Sequence, residues 1–207
     1  MARKIGSVNT IVHRDGKLKG YNTDGIGFFR SLPPAFSIKG KTMVLLGAGG
    51  AALAIIAQAI HLGVKRILVF VREERLLHYR SKVQLLEDAF DFLIELYAIE
   101  KNEDVQSSFN QADLILNATG VGMDGHSLPI ASHLTFPPQA LIVEMAYYPA
   151  VTPFLQLAVN QGNQRVNGLG MLFYQAEAAF ELMTGKVFPT ESVWKALITE
   201  YRQFVCD

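Results

Sequence analysis

A glycine-rich turn between an apolar run and a helix-forming segment is the feature of this chain best suited to chemistry. Met43–Leu46 has the length and composition of a buried strand, and it runs directly into Gly47–Ala52. Gly47 allows a tight turn, Gly49 lets the backbone come close to phosphates, and Ala52 takes the third position of a Gly-x-Gly-x-x-Gly/Ala pattern. A helix that begins there directs its unpaired N–H groups and positive dipole end at an anion. The pattern therefore predicts a site for a dinucleotide pyrophosphate.

The surroundings of the glycine turn support this interpretation, although a glycine pattern alone is weak evidence. Apolar and small residues predict a helix over 50–62, and Arg66–Phe70 has the composition of a second buried strand. Strand, turn, helix and strand therefore follow one another at the spacing of a βαβ unit. The alternative is a glycine-rich strand-to-helix turn that binds nothing, and it stays open on the sequence alone.

Elsewhere, predicted strands and helices alternate along the chain. Leu114–Asn117 and Leu141–Met145 are short apolar runs between turn residues, which is typical of buried parallel strands. The other predicted elements are strands over 5–12 and 18–21 joined by a turn, a strand near the end of 92–98, and helices over 25–32, 76–90, 153–161, 171–183 and 191–204. Such alternation predicts an α/β fold with a doubly wound, Rossmann-like parallel sheet, which binds ligands at the carboxyl ends of its strands.

The composition bounds the partners and the compartment. The 207 residues carry no formal net charge, which argues against a nucleic-acid partner. No apolar run reaches the roughly 18 residues that a membrane span needs, so no membrane partner is predicted. Cys206 is the single cysteine, so no disulfide can form within the chain, and we expect a cytoplasmic location. The five histidines lack the spacing of metal ligands, so no metal is predicted.

Further short motifs occur in one order around the glycine turn. They are residues 6–10 (GSVNT), 20–25 (GYNTDG), 117–119 (NAT), 168–172 (GLGML), 175–176 (QA) and 182–189 (LMTGKVFP). Together with the turn, they resemble the shikimate dehydrogenases, and more closely the quinate/shikimate dehydrogenase branch. The resemblance covers essentially the whole chain. It implies an oxidoreductase that transfers a hydride between NAD(P) and shikimate or quinate, in aromatic amino acid biosynthesis or quinate breakdown.

The resemblance also implies a division of the chain. Residues 1–24 correspond to the last part of a substrate domain, 25–170 to the dinucleotide-binding domain with its linking helix, and 171–207 to helices that return towards the substrate domain. The paired-serine motif and the catalytic lysine of the family are expected upstream of Met1. The isolated chain is therefore expected to bind the cofactor but to turn over little substrate.

The resemblance assigns the substrate side of the site to four residues. Asp24 is the catalytic carboxylate that partners the lysine and a substrate hydroxyl, since an acid keeps a neighbouring lysine charged and oriented. Its position also suits a helix cap, which is the structural alternative. Asn9, Tyr147 and Gln175 match the other substrate-binding positions. For Asn9 and Gln175 the alternatives are a polar strand end and a solvated helix face.

The cofactor side of the site contains the glycine turn and residues at other strand ends. The expected contacts are Gly47, Ala48, Gly49, Gly50, Ala51, Arg72, Glu73, Glu74, Thr119, Met145 and Gly168. A carboxylate accepts hydrogen bonds from ribose hydroxyls and repels a 2′-phosphate, so Glu74 favours NAD as the cofactor. Alternatively, both glutamates simply occupy a solvated first helical turn, where acids are favoured, and NADP stays possible.

Two other functions compete with the dehydrogenase. One is a non-catalytic dinucleotide-binding module, such as a sensor or scaffold, that kept this fold without the chemistry. The other is a different two-domain reductase, linked to folate or tRNA. Asn9 and Asp24 argue against the second, because amide and carboxylate groups suit a polyhydroxylated substrate. The predicted partner is a small-molecule substrate, and a homodimer is left open.

Overall fold

The computed structural model describes residues 1–206, with the side chains of residues 1–203, so the side chain of Cys206 lies outside the described part. The helices are α1 (Ala2–Ile5), α2 (Asp24–Ser31), α3 (Gly50–His61), α4 (Leu76–Phe90), α5 (Asn102–Phe109), α6 (Pro153–Asn160), α7 (Leu169–Thr184) and α8 (Thr190–Cys206). The strands are β1 (Thr10–Arg14), β2 (Lys17–Tyr21), β3 (Thr42–Leu46), β4 (Arg66–Val71), β5 (Glu95–Ala98), β6 (Leu114–Asn117), β7 (Leu141–Glu144) and β8 (Arg165–Val166). None of the helices in this part is both long and apolar enough to span a bilayer.

One parallel sheet organises most of the chain. Its strands lie in the order β5-β4-β3-β6-β7-β8, and every neighbouring pair runs in the same direction. The chain builds outward from β3 on one side and then crosses to the other side at β6. The carboxyl ends of β3 and β6 therefore flank the switch point at which such sheets bind ligands. The predicted doubly wound α/β fold is confirmed, and the sheet contains every strand that was predicted for it.

The sheet lies between two apolar layers, so its central strands are buried on both faces. In β3, Met43 and Leu45 belong to the layer formed with α3 and α4. Val44 and Leu46 belong to the opposite layer, which α5 and α6 complete. All four side chains are fully buried, so the turn that follows β3 starts from a strand held on both sides.

The amino-terminal segment differs from the predicted strand over 5–12. Ala2–Ile5 forms the short helix α1, which ends at Gly6 in the left-handed conformation, with φ of 68°. The ammonium of Lys4 donates a hydrogen bond to the carbonyl of Ala89 at 2.9 Å, at the carboxyl end of α4. A cation is favoured there because that end of a helix carries partial negative charge. The prediction was wrong because it was made from apolar content, which does not show this docking on α4.

The hairpin predicted after this segment is confirmed. β1 and β2 pair antiparallel from Thr10 with Tyr21 to Arg14 with Lys17. Asp15 and Gly16 form the connecting turn, and both have positive φ, at 53° and 73°. Two successive residues with positive φ are the requirement of a type I′ turn, which explains the Asp-Gly pair. The hairpin brings its first residues next to the start of α2.

Besides α1, the helix α5 and the strand β8 were not predicted. In α5 only Val105, Ser108 and Phe109 are buried, so the apolar stripe is too short to show a helical period. β8 is the two-residue strand Arg165–Val166, and it exists through its pairing with Ile142 and Val143 of β7. Both elements depend on contacts that the local sequence does not specify.

Helix α2 connects the hairpin to the rest of the molecule through close helix packing. A methyl group on Gly27 would stand 2.5 Å from the backbone nitrogen of Gln175, so α2 and α7 touch at the backbone there. Arg30 at the end of α2 forms an ion pair with Glu177 of α7 at 2.8 Å. The hydroxyl of Thr190, the first residue of α8, donates to the same carboxylate. These contacts fix the position of Asp24 at the start of α2.

An ion pair on the outer strands gives the fold a defined response to acid. Arg66 of β4 donates to both carboxylate oxygens of Glu95 in β5, one of them at 2.8 Å, and the Tyr97 hydroxyl donates at 2.7 Å. The hydrogen bond from Arg66 is the main cause that lowers the pKa of Glu95 below its ordinary value of 4.5. A carboxyl whose pKa falls on folding stabilises the protein above that ordinary value and loses this effect at lower pH.

We therefore expect Glu95→Gln to lower the free energy of unfolding by about 1 kcal/mol at neutral pH. The difference from the unsubstituted chain should shrink as the pH falls below 4.5. Urea unfolding of both proteins from pH 7 to pH 3 measures it. Glu181→Gln, which removes an exposed carboxylate from α7, is the control. A difference that stays constant over this range would contradict the assignment.

Candidate functional site

The glycine turn after β3 has the geometry of an open anion site. Gly47 has φ of 97°, and its amide donates to the carbonyl of Phe70 at 2.7 Å, which ties the turn to the end of β4. A methyl group on Gly47 would stand 2.9 Å from the Ala118 carbonyl oxygen. Gly49 is the N-cap of α3 without a side-chain cap, and a methyl group there would meet no atom within 4 Å. The amino end of α3 therefore faces open space through Gly49.

A cavity of about 640 Å³ adjoins this turn, at the carboxyl ends of β3, β4 and β6. Its walls come from the turn itself, from the residues after β4 and β5, and from the loop after β6. The lining residues nearest the turn are Gly47, Ala48, Gly49, Ala118 and Thr119. Cavities of roughly 300–1,000 Å³ hold ligands of cofactor size. Gly50, Ala51 and the buried Ala52 lie in the first turn of α3, behind the opening.

The end of the cavity beside β4 is lined by charged side chains. Arg72, Arg75 and Glu100 line the cavity, whereas Glu73 and Glu74 do not. The guanidinium of Arg72 pairs with the Glu74 carboxylate at 3.2 Å, and both side chains are about two-thirds exposed. The backbone amide of Glu73 donates to the carboxylate of Glu100 at 3.1 Å. The acid at the cavity wall is thus Glu100, which sequence reasoning missed although it follows β5 as Arg72 follows β4.

A buried polar network joins the ends of β6 and β7. The amide nitrogen of Asn117 donates to the carboxylate of Glu144 at 2.7 Å, and its amide oxygen accepts from the Thr119 hydroxyl at 2.7 Å. Glu144 also accepts from the Ala146 amide and the Thr152 hydroxyl, each at 3.1 Å. Burial raises the pKa of Glu144, and these hydrogen bonds act in the opposite direction. The predicted cofactor residue Thr119 is therefore held from the next strand.

The segment after β7 packs directly on the turn before α7. A methyl group on Gly168 would stand 1.8 Å from the carbonyl oxygen of Met145, so the two backbones are in contact. The amide of Gly168 donates to the Ala146 carbonyl at 3.0 Å. Tyr147 follows with 44% of its surface exposed, and the Tyr201 hydroxyl donates to its carbonyl. The predicted pair Met145 and Gly168 is thus one structural unit, with Tyr147 at its rim.

Asn9, Thr23 and Asp24 form a hydrogen-bonded cluster between the hairpin and α2. The amide nitrogen of Asn9 donates to the Asp24 carboxylate at 2.7 Å and to the Thr23 hydroxyl at 2.9 Å. Its amide oxygen accepts from the backbone nitrogen of Thr23 at 3.0 Å. The backbone amide of Asp24 is satisfied by the side chain of Asn22, at 3.0 Å. The Asp24 carboxylate is therefore oriented by Asn9, and its backbone amide is held by the side chain of Asn22.

The remaining two substrate candidates lie on other elements. Gln175 lies on α7, and its backbone packs against Gly27 of α2. Gly27 lies about one helical turn after Asp24. Its side-chain nitrogen donates to the Leu172 carbonyl of its own helix at 2.9 Å. Within residues 1–203, no hydrogen bond joins Tyr147 or Gln175 to the Asn9 cluster. In the same residues, no group of three or more His, Cys, Asp or Glu side chains is placed to hold a metal ion.

Comparisons with known proteins decide the family. Residues 168–198 match the model of the Shikimate 5'-dehydrogenase C-terminal domain. The chain is 54% identical over 194 residues to the shikimate dehydrogenase (NADP(+)) of Streptococcus gordonii, covering 94% of this chain and 68% of that protein. The chain belongs to the shikimate dehydrogenase family. The family resemblance seen in the sequence motifs is thereby confirmed, and the chain is an NAD(P)-dependent oxidoreductase module.

Solved structures of shikimate dehydrogenase family members share this fold. The Listeria monocytogenes shikimate 5-dehydrogenase, in complex with shikimate and NAD, is 37% identical, with a TM-score of 0.87 over 95% of this chain and 69% of that one. The Corynebacterium glutamicum quinate dehydrogenase, in complex with NAD, is 25% identical, with a TM-score of 0.81 over 96% and 70%. The chain thus spans about two-thirds of the length of these family members.

The residues present fit the dinucleotide that the family binds. The uncapped amino end of α3 supplies N–H groups for a pyrophosphate, and the open space at Gly49 leaves room for it. The cavity extends from Gly47 towards Arg72 and Arg75 on one side and towards Thr119 on the other. An extended dinucleotide needs such an arrangement across the switch point of the sheet.

Proposed function

We propose that this chain carries the cofactor site and part of the substrate site of a dehydrogenase that acts on shikimate or quinate. The observation that carries the proposal is the open glycine turn beside a cavity at the switch point of the sheet. The oriented Asp24 carboxylate provides the second chemical group. Residues 1–24 then belong to the substrate side, 25–170 to the cofactor side, and 171–207 to helices that pack between them.

The chain's own residues have separate tasks in this reaction. The bound dinucleotide supplies the hydride acceptor or donor. Asp24, held by Asn9, accepts hydrogen bonds from vicinal hydroxyls of the substrate and stabilises a cationic acid/base group beside it. Tyr147 and Gln175 complete the substrate contacts, and Met145 with Gly168 shapes the nicotinamide end. Thr119 lines the cavity beside the glycine turn.

The adenosine end of the cavity distinguishes NAD from NADP. Arg72 and Arg75 line it, and guanidinium groups bind a 2′-phosphate well. The glutamates that favour NAD in the sequence, Glu73 and Glu74, lie outside the lining. The name of the Streptococcus gordonii relative also favours NADP. We therefore propose NADP as the preferred cofactor, with the Glu74–Arg72 ion pair as a restraint on that preference.

Calorimetric titration with NADP, NAD, shikimate and quinate tests this function. Arg72→Ala should weaken NADP binding at least about tenfold and leave NAD nearly unchanged, because a charge-assisted contact to the 2′-phosphate is lost. Glu74→Gln should strengthen NADP relative to NAD, since it releases Arg72. Arg165→Ala, at the exposed opposite edge of the sheet, is the matched control.

Each outcome of this titration has a defined meaning. Tighter binding of NAD than of NADP by the unsubstituted chain would restore the NAD preference that Glu74 predicts. Binding of a dinucleotide without either hydroxy acid would support the cofactor site only, because the paired-serine motif of the substrate site is expected upstream of Met1. Absence of binding by either dinucleotide at millimolar concentration, on well-folded protein, would contradict the proposed function as a whole.

A further inference from the structure

A buried carboxylate at the end of β7 has no part in the chemistry described above. Glu144 is only 1% exposed, yet it has no cationic partner among its hydrogen-bonding groups. One oxygen accepts from the Ala146 amide at 3.1 Å. The other accepts from the Asn117 amide at 2.7 Å and the Thr152 hydroxyl at 3.1 Å. Burying a carboxylate is costly unless hydrogen bonds satisfy it, and an apolar side chain at this position could not accept from these three donors.

On one side, Glu144 fixes the loop that bounds the cavity. Asn117, held by Glu144, also donates to the Val121 carbonyl at 3.0 Å. Its amide oxygen accepts from the backbone nitrogen of Thr119 at 3.1 Å, and the Thr119 hydroxyl accepts from the Val121 amide at 3.0 Å. Thr119 and Val121 both line the cavity. The polar groups of Thr119 and Val121 are therefore oriented by Asn117, directly or through the Thr119 hydroxyl.

On the other side, Glu144 fixes the segment that packs on Gly168. Its bond to the Ala146 amide holds the backbone next to Met145, whose carbonyl touches Gly168. Thr152 donates to Glu144 and at the same time accepts from the Leu155 amide at 3.3 Å, as the N-cap of α6. The loop after β6, which lines the cavity, and the segment after β7, which packs on Gly168, thus meet at one carboxylate.

We propose that Glu144 is a positioning residue for the nicotinamide half of the cofactor, and this inference rests on the proposed function. The Asn117 amide, the Ala146 amide and the Thr152 hydroxyl all donate to the oxygens of Glu144. A side chain with a hydrogen-bond acceptor on both terminal atoms, which a carboxylate has, satisfies all three donors. The N–H₂ group of a glutamine would have to face donors in either orientation. In one orientation it faces the Asn117 amide and the Thr152 hydroxyl, and in the other it faces the Ala146 amide. Either orientation breaks one half of the connection while preserving the volume of the side chain.

The test compares a whole cofactor with a fragment that lacks the nicotinamide. Adenosine 2′,5′-bisphosphate occupies only the end beside Arg72, whereas NADP reaches both ends. We expect Glu144→Gln to weaken NADP binding at least about tenfold and to weaken the fragment less than about threefold. The control is Glu87→Gln. Glu87 is also buried and accepts from a backbone amide, that of Ile94, but it does not line the cavity. This control should leave the ratio of the two affinities unchanged.

Glu144→Asp provides a second measurement if the glutamine variant does not fold. Aspartate keeps the charge but is one methylene shorter, so it reaches one side of the connection only, and the same selective loss of NADP is expected. Equal weakening of NADP and fragment, or no weakening of either, would overturn the role of Glu144. Failure of the unsubstituted chain to bind either NADP or NAD would instead overturn the proposed function, and the inference with it.

Discussion

Gly168→Ala should cost about 3 kcal/mol of folding free energy and abolish measurable dinucleotide binding. The added methyl group would stand 1.8 Å from the Met145 carbonyl oxygen and 2.6 Å from its carbonyl carbon. Both obstacles are backbone atoms, so no change of rotamer relieves the contact. The end of β7 and the start of α7 would have to separate, and this displaces the predicted cofactor contact Met145 and the predicted substrate contact Tyr147 together.

Gly185→Ala is the matched control for this prediction. Gly185 ends α7 with φ of 67°, and a methyl group there would meet nothing within 4 Å. The substitution adds only backbone strain, about 1 kcal/mol, at the other end of the same helix. Urea unfolding and calorimetry should show a modest loss of stability and normal binding. Normal NADP affinity in Gly168→Ala would show that the Met145 segment does not bound the cofactor site.

The sequence predicted the sheet well because its strands are buried on both faces. Runs such as Leu114–Asn117 and Leu141–Met145 are apolar throughout, and turn residues bound them clearly. Their alternation with helices then leaves few topologies, since crossovers between parallel strands share one hand. The elements that were missed lack this signal. α1 is stabilised by docking on α4, α5 buries few residues, and β8 is defined by pairing with β7.

The part of the candidate site that the sequence predicts is the part whose residues follow one another in one short segment. The glycine turn is of this kind, because Gly47, Gly49 and the start of α3 follow one another directly. Glu100 and Glu144 were missed because their significance depends on neighbours from distant parts of the chain. Glu100 meets the backbone of Glu73, and Glu144 meets Asn117. Spacing in the sequence gives no measure of such distances.

The hydrogen bonds of Asp24 depend on neighbours that its position in the sequence does not reveal. An acid at the first turn of a helix suits both a cap and a catalytic carboxylate. The side chain of Asn22 accepts from the Asp24 amide, and Asn9 donates to the Asp24 carboxylate from across the hairpin. The type I′ turn at Asp15 and Gly16 allows Asn9 to reach Asp24, because it sets the register in which β2 pairs with β1. A local turn thus determines the orientation of a group on the following helix.

Gly49→Ala should separate cofactor binding from stability more sharply than any other substitution. Gly49 has φ of −69° and ψ of 178°, which alanine adopts without strain, and a methyl group there meets no protein atom within 4 Å. The free energy of unfolding should therefore change by less than about 1 kcal/mol. If a pyrophosphate sits at the amino end of α3, however, the methyl group occupies its space. Binding of NADP and NAD should then weaken at least about thirtyfold.

The control for Gly49→Ala shows the reverse pattern. Gly162 follows α6 with φ of 79° and nothing within 4 Å, at the opposite end of the sheet from the cavity. Gly162→Ala should lower the free energy of unfolding by about 1 kcal/mol and leave dinucleotide affinity unchanged. Crossed results of this kind would support binding of the phosphates in the space in front of Gly49. Unchanged NADP and NAD affinities in Gly49→Ala would place the phosphates elsewhere, because the methyl group projects into the open space in front of α3.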